Sequence, residues 1–384
     1  MFSFKKSRGL HWHGILRPIL LVILSSFTLT ACAATERTAM RFLDTSEHHT
    51  YTGIILARQE KFDDAEREFS LALQLNCESA LANAGMSIVK SQKGDFEAAV
   101  EHMELAERFA RSSTERLYVH TLKIQLYAMT RRPENWIELA EEEYRRAVTI
   151  SPRFSAAHYC MGLARMMNHE FDEAGRLFIK VLDLNDEYLE QADREWKRIQ
   201  MILEAEPANH RIEEIALVDR VTRSQLALIL VDQLKLDELY HGLGIYNASL
   251  KKESHLLDVE YHPHKREIEV VVDMNVAGLE PYPDGTFHPD DLVTRLALAV
   301  VVYDIMVRVS GDKLLAERYG DLLEPTETAD FPHSNYDAIK TAVGRGIMPD
   351  EWFTSSRLAP YSPVSGAEAL LVVKNLKDVL LIGF

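Results

Sequence analysis

Few residues in this chain have the type and spacing to do chemistry. Cys32 closes an apolar stretch, "SSFTLTAC" (25–32), and polar sequence follows at once. A thiol there is a structural cysteine, a reactive group or the attachment point of a modification. Asp284, Asp290 and Asp291 share one loop and raise a calcium reading. They lack the alternating ligand positions and closing glutamate of an EF-hand loop, so a turn and a helix cap explain them better. His48-His49 lies in polar sequence and His262/His264 in charged sequence, where imidazoles face solvent far more often than they ligate metal. The sequence has no Gly-rich phosphate loop, no Gly-x-Ser-x-Gly and no His-Glu-x-x-His. Carboxylates abound, but no pair is singled out by spacing. The expectation is a non-enzymatic protein with no catalytic residue, no cofactor and no metal.

The segment before Cys32 gives it a meaning. Residues 1–17 carry Lys5, Lys6, Arg8 and Arg17 and no acidic residue, and 18–31 are apolar or small throughout. A basic head, a short apolar run and small closing residues describe a secretory signal. The run falls short of the roughly 20 residues that a spanning helix needs. Leu29-Thr30-Ala31-Cys32 moreover resembles the bacterial lipobox. That resemblance implies a signal peptide over 1–31 cut before Cys32, acylation of Cys32, a linker over 32–45, and membrane attachment through lipid, which several acyl chains make firm. Ala33 after the cysteine, by analogy with enteric lipoproteins, points to the periplasmic face of the outer membrane.

Removing residues 1–31 takes away four cations and no anion, so the formal charge moves from −16 to −20. Such a chain excludes nucleic-acid binding, which needs clustered Lys and Arg, and does not dock on anionic lipid by charge. Cys77 and Cys160 remain; an oxidising compartment permits pairing, but both positions read as buried helical thiols. The mature length exceeds what one core supports, so two domains are expected.

Four segments align internally: "EKFDDAEREFSLAL", "GDFEAAVEHMELAE", "ENWIELAEEEYRRAV" and "HEFDEAGRLFIKVL". Each carries a small, a large and another small or apolar residue at helical spacing: Ala65/Phe69/Ala72, Ala99/Met103/Ala106, Ala140/Tyr144/Ala147 and Ala174/Phe178/Val181. The leading alanines share a period of 34 in the first and last intervals, and the middle interval is longer by seven. Twelve positions before each alanine stands Gly53, Ser87, Ala128 or Gly162. The extra length of the middle interval fits around "RSSTERLY". This pattern resembles the tetratricopeptide repeat over 46–186, and the resemblance implies a right-handed solenoid of helical hairpins. Each hairpin buries its apolar face against the next. The alanines, aromatics and glycines are then packing residues, and the concave face is the surface for an unidentified protein, basic or amphipathic to suit the Glu-rich helices. "EYLEQADREWKRIQMILEAEP", over 187–207, is a capping helix.

After Pro207 the pattern changes. "YPDGTFHPDDLVTRLALAVVVYDIM" (282–306) joins a Pro-Asp-Gly turn to a helix that Thr294 caps and Arg295 begins. "RVTRSQLALILVDQL" and "SPVSGAEALLVVKNL" repeat the motif, and Val221, Val293 and Val364 recur at nearly equal intervals. The segment 208–384 resembles an S-layer homology domain with eroded repeats around 211–257, 258–325 and 326–384. The resemblance implies a mainly helical pseudo-trimeric domain whose grooves hold an acidic, peptidoglycan-linked polysaccharide. Arg223 and Arg295 would grip its carboxylates, with Thr222, Thr294, Asp284 and Gly285 shaping the grooves. Gly366 stands where the third arginine belongs, and Leu296-Ala297 where Ala-Glu is usual. An ordinary salt bridge at a helix start remains the alternative for Arg295. The whole reads as an all-α, lipid-anchored envelope tether; an assembly or secretion accessory lipoprotein with two protein-binding domains is the alternative.

Overall fold

Small residues at helix spacing let helices approach closely, and the chain uses them to build hairpins. The computed structural model describes residues 44–245, 256–312, 315, 333–354 and 359–382. The signal peptide, Cys32 and most of the linker therefore lie outside the described residues, as does much of 313–332. Among the described residues the chain is mainly helical, with two isolated β-bridges and no strand, and no helix is long and apolar enough to cross a membrane.

Two units divide between Cys160 and Met161. In the first, α1 (Ser46–Arg58) pairs with α2 (Phe62–Leu75), α3 (Ala80–Gln92) with α4 (Phe96–Phe109), and α5 (Ser113–Thr130) with α6 (Trp136–Ile150). Successive hairpins stack, α2 on α3 and α4 on α5, with α3 also against α1 and α5. Side-chain caps start several of the helices. Ser79 accepts from the Ala82 amide, Asp95 from that of Ala98, and Ser112 forms a reciprocal box with Glu115. Ala65, Phe69, Ala72, Ala99, Ala140 and Ala147 are wholly buried. The Phe69 ring fills the space left by two glycines: a Cβ on Gly53 would come within 2.7 Å of it and one on Gly85 within 2.3 Å. The extra length of the middle interval is not confined to 111–118. The helix α5 absorbs most of it, with 18 residues against 13 in α1 and α3.

The helix α7 (Ser155–Met167) carries the division within it. The second unit continues with α8 (Phe171–Leu184) and α9 (Leu189–Ala205), where a Cβ on Gly162 would meet the Phe178 ring at 2.7 Å. Sequence reasoning put the boundary at 207. The helix α9 packs both on α8 and on α17 (Gly366–Ile382). Gln233 seals the Pro207 junction, donating to the Ala205 and Glu206 carbonyls and accepting from the Ala208 amide. Between them run α10 (His210–Ala216), α11 (Arg223–Leu228, continued by a π-turn to Gln233), α12 (Leu236–Gly242), α13 (Lys265–Asp273), α14 (Arg295–Ser310), α15 (His333–Gly344) and α16 (Glu351–Thr354).

Of the two remaining cysteines, Cys160 is the buried helical thiol expected and Cys77 departs from expectation. Cys160 is a free, buried thiol whose pKa burial pushes up to about 12. Cys77 is only half-buried and is disulfide-bonded.

Candidate functional site

The three repeat motifs of the second unit meet in a closed ring of backbone hydrogen bonds. The Val221 amide donates to the Val364 carbonyl (2.8 Å), Val364 to Val293 (3.0 Å), and Val293 back to Val221 (2.9 Å). A second set surrounds it: Arg223 donates to the Asp291 carbonyl, Arg295 to Ser362, and Gly366 to Val218. The three valines are buried, which suits β-branched residues in short extended segments. A helix starts two residues after each valine. Thr222 and Gln225 form a capping box for α11, Thr294 accepts the Ala297 amide in α14, and Ser365 and Glu368 make the same reciprocal pair for α17. The ring thus places Arg223, Arg295 and Gly366 at three equivalent junctions.

At the first junction Arg223 is held by backbone, with one bond from each guanidinium nitrogen. Its guanidinium donates to the carbonyls of Phe287, Gly278 and Glu280, each at 2.9 Å. It also lies 4.6 Å from the centre of the Phe287 ring and 5.3 Å from that of Tyr282. Burial moves its pKa down, though the guanidinium stays charged. The loop it holds is internally fixed as well. Gly285 sits at φ +83°, which closes the Pro283-Asp284-Gly285 turn with the Tyr282 amide on the Thr286 carbonyl. The Asp284 carboxylate accepts from the Thr286 hydroxyl and amide, and these bonds hold its pKa below the usual range. Asp258, upstream, accepts the Phe287 and His288 amides. Arg223 therefore braces the loop that carries Asp284 and Gly285, while Thr222 caps the helix that Arg223 begins.

The second junction has the same motif and a different outcome. The Arg295 guanidinium lies 4.7 Å from the centre of a Trp352 ring and touches Glu368 at 3.5 Å. Its Nε is buried and has no hydrogen-bond partner. A charged donor left unmatched beside an indole face is a site with capacity to spare. Thr294 caps the helix here and stays clear of Asp284 and Gly285, which belong to the first junction.

The third junction is closed. A Cβ on Gly366 would fall 1.7 Å from the Ile215 carbonyl oxygen and 3.1 Å from the Ala216 carbonyl carbon. The end of α10 fills the place an arginine would need.

In the hairpin unit, the packing residues sit as the spacing indicates, except in the third hairpin. There Tyr144 is half-buried and its hydroxyl bonds His158 Nδ1 at 2.8 Å, while Glu143 beside it is 4% exposed. Glu143 meets His120 (2.5 Å), Lys123 (2.8 Å) and Arg146 (3.2 Å). Burial opposes its charge, yet the bonds to His120 and Lys123 prevail and hold its pKa below the ordinary value. Sequence reasoning missed Glu143 and Trp352. A glutamate in a Glu-rich helix carries no sign of burial, and Trp352 has no counterpart in the quoted motif.

No family model matches this chain, and no curated protein matches it either.

Proposed function

We propose that the protein is a non-catalytic, lipid-anchored envelope tether. In this reading the helical hairpins form a tetratricopeptide-like solenoid that binds a protein, and the second unit is S-layer-homology-like and binds an acidic wall polymer. The observation that carries the polymer reading is Arg295, a half-buried guanidinium with an unpartnered Nε against Trp352. An aromatic face stacks on a sugar ring and a guanidinium takes up a carboxylate in two-pronged fashion. One competent junction remains of three: the first is braced by Arg223 and the third is closed at Gly366. The envelope location rests on the lipobox, and the partner's basic or amphipathic character on the acidic chain.

The test is co-sedimentation of the full mature chain with peptidoglycan sacculi, before and after acid removal of the attached polymer. A charge-assisted bond contributes about 1.5–3 kcal/mol, so Arg295→Ala should weaken binding more than tenfold and Arg295→Lys should restore it only in part. Equal binding by wild type and Arg295→Ala, or binding indifferent to removal of the polymer, overturns the polymer reading. The accessory-lipoprotein alternative, with protein ligands on both units, then stands; the engagement of Arg223 by three carbonyls favours it at the first junction.

A further inference from the structure

Two histidines away from the valine ring meet in the second unit. His169 stands in the turn between α7 and α8, and His210 opens α10. Their ring centres are 4.6 Å apart. Glu213 and Glu214 follow His210 by three and four residues, so all three side chains leave α10 on one side. The turn is fixed by the amide of Glu170 on the Arg165 carbonyl and by the Arg165–Glu170 ion pair.

The hydrogen bonding of His169 sets its tautomer. Nε2 lies 3.1 Å from Glu214 Oε1, and a carboxylate only accepts, so Nε2 carries the hydrogen. In the neutral ring Nδ1 is then a bare lone pair. That atom is buried and has no hydrogen-bond partner, in a side chain 12% exposed. It faces Glu213 Oε2, a second acceptor, at 3.7 Å. Two acceptors face each other across a gap too long for a hydrogen bond, so even a proton on Nδ1 would find no partner there. A cation between them satisfies both. His210 Nδ1 lies 3.2 Å from the same Glu213 oxygen, and one ligand atom from each of the three residues lies within 4.8 Å of the others.

We propose that His169, His210 and Glu213 bind a divalent transition cation of the zinc class, with Glu214 as the carboxylate that orients His169. Tetrahedral zinc with bonds of about 2.0–2.2 Å puts its ligand atoms roughly 3.3–3.5 Å apart, and 3.2 and 3.7 Å bracket that edge. Two imidazoles with one carboxylate select zinc and its neighbours over calcium or magnesium, which take oxygen ligands. A histidine ligand whose other nitrogen donates to a carboxylate is the usual outer-shell arrangement. Water fills the fourth position. The cation clips the α7–α8 turn to α10 and closes the chain between His169 and His210.

The experiment uses the untagged full chain, purified in detergent and stripped with a chelator, titrated with Zn²⁺ by calorimetry and with Co²⁺ by visible absorption. One equivalent of tight binding is expected, with tetrahedral cobalt bands and a raised melting temperature. His169→Ala and His210→Ala abolish these signals. Glu214→Gln keeps the stoichiometry and weakens binding about 10–100-fold. His210 is exposed, so its variant keeps the fold, which far-ultraviolet circular dichroism checks. Absence of a one-to-one site in the wild type, equal affinity for Ca²⁺, or Zn²⁺ binding unchanged in His210→Ala overturns the proposal.

Discussion

Arg223 and Arg295 occupy equivalent positions, yet their removal should have opposite consequences for stability. Methionine at either site keeps most of the apolar stem and deletes the charged head. At Arg223 that deletes three bonds of 2.9 Å, two part-buried and one, to Glu280, exposed. Counting only the part-buried pair, at about 1.5–3 kcal/mol for each charge-assisted bond, gives a loss of about 3–6 kcal/mol. The second unit spans residues 161–384, and for a unit of that size each kcal/mol moves the melting temperature by about 2–4 °C. Arg223→Met should therefore melt at least about 6 °C lower. Arg295→Met gives up one 3.5 Å contact and the guanidinium's place over the Trp352 ring, and removes a buried donor that had no partner. Its net effect should stay within about 1 kcal/mol. Calorimetry of the full chain reads both, and hydrogen exchange at the Val221, Val293 and Val364 amides assigns the loss to the ring. Equal destabilisation by the two variants would refute the distinction between a bracing and an available arginine.

Other outcomes follow from the same structure. Gly162→Leu forces a side chain into the Phe178 ring and should cost about 1–3 kcal/mol; an unchanged melt would show the hairpin pairing to be wrong. Glu143→Ala leaves the mostly buried Lys123 with the half-exposed Glu107 as its remaining ion-pair partner and should cost about 1.5–3 kcal/mol, whereas an exposed-pair value below about 1 kcal/mol would contradict the burial. Burial tends to lower the pKa of His49, but hydrogen bonds to Glu68 and Asp44 outweigh it and raise it. A raised folded pKa means stabilisation that is complete below the unfolded value near 6.5 and fades as pH rises through the folded one. The stability difference between wild type and His49→Gln should hence shrink from about pH 6 to pH 9, and a difference that grows over that range would reverse the sign. Cys32→Ser should abolish labelling by fatty acid and release the protein from membranes, and retention in the membrane would sink the lipobox reading. A thioether at Cys32 and a disulfide from it to Cys77 use the same sulfur. The unreduced, denatured chain should therefore show two alkylatable thiols if Cys32 is acylated, and one if it is paired.

What the sequence made legible was whatever depends on local period. Ala65, Phe69, Ala174 and Phe178 repeat with the helix and with one another, so their burial could be read from spacing. The nearly equal intervals between Val221, Val293 and Val364 marked the ring members before any pairing was known. Gly85 escaped notice because the ring it admits, Phe69, belongs to the preceding hairpin. Glu143 escaped because a buried carboxylate looks like a solvated one until His120 and Lys123 are brought to it from another helix. Gly366 looked like erosion of a motif and is a steric requirement set by Ile215, which lies far upstream in the chain. His169 and His210 share no motif, and only the fold sets their rings together.

The ring of valines also has a consequence in time. Its members are widely separated along the chain, and the final one, Val364, supplies the acceptor for Val221. Ser362 does the same for Arg295. A chain still emerging, or one cut short by a premature stop, has every other part of the second unit and lacks the piece that closes it. Loop-closure entropy must be met before the closing contacts form. Closure of the ring therefore comes late, while the hairpins, built from near neighbours, are free to form as they appear. The residues that decide whether the ring closes are thus made after its other members.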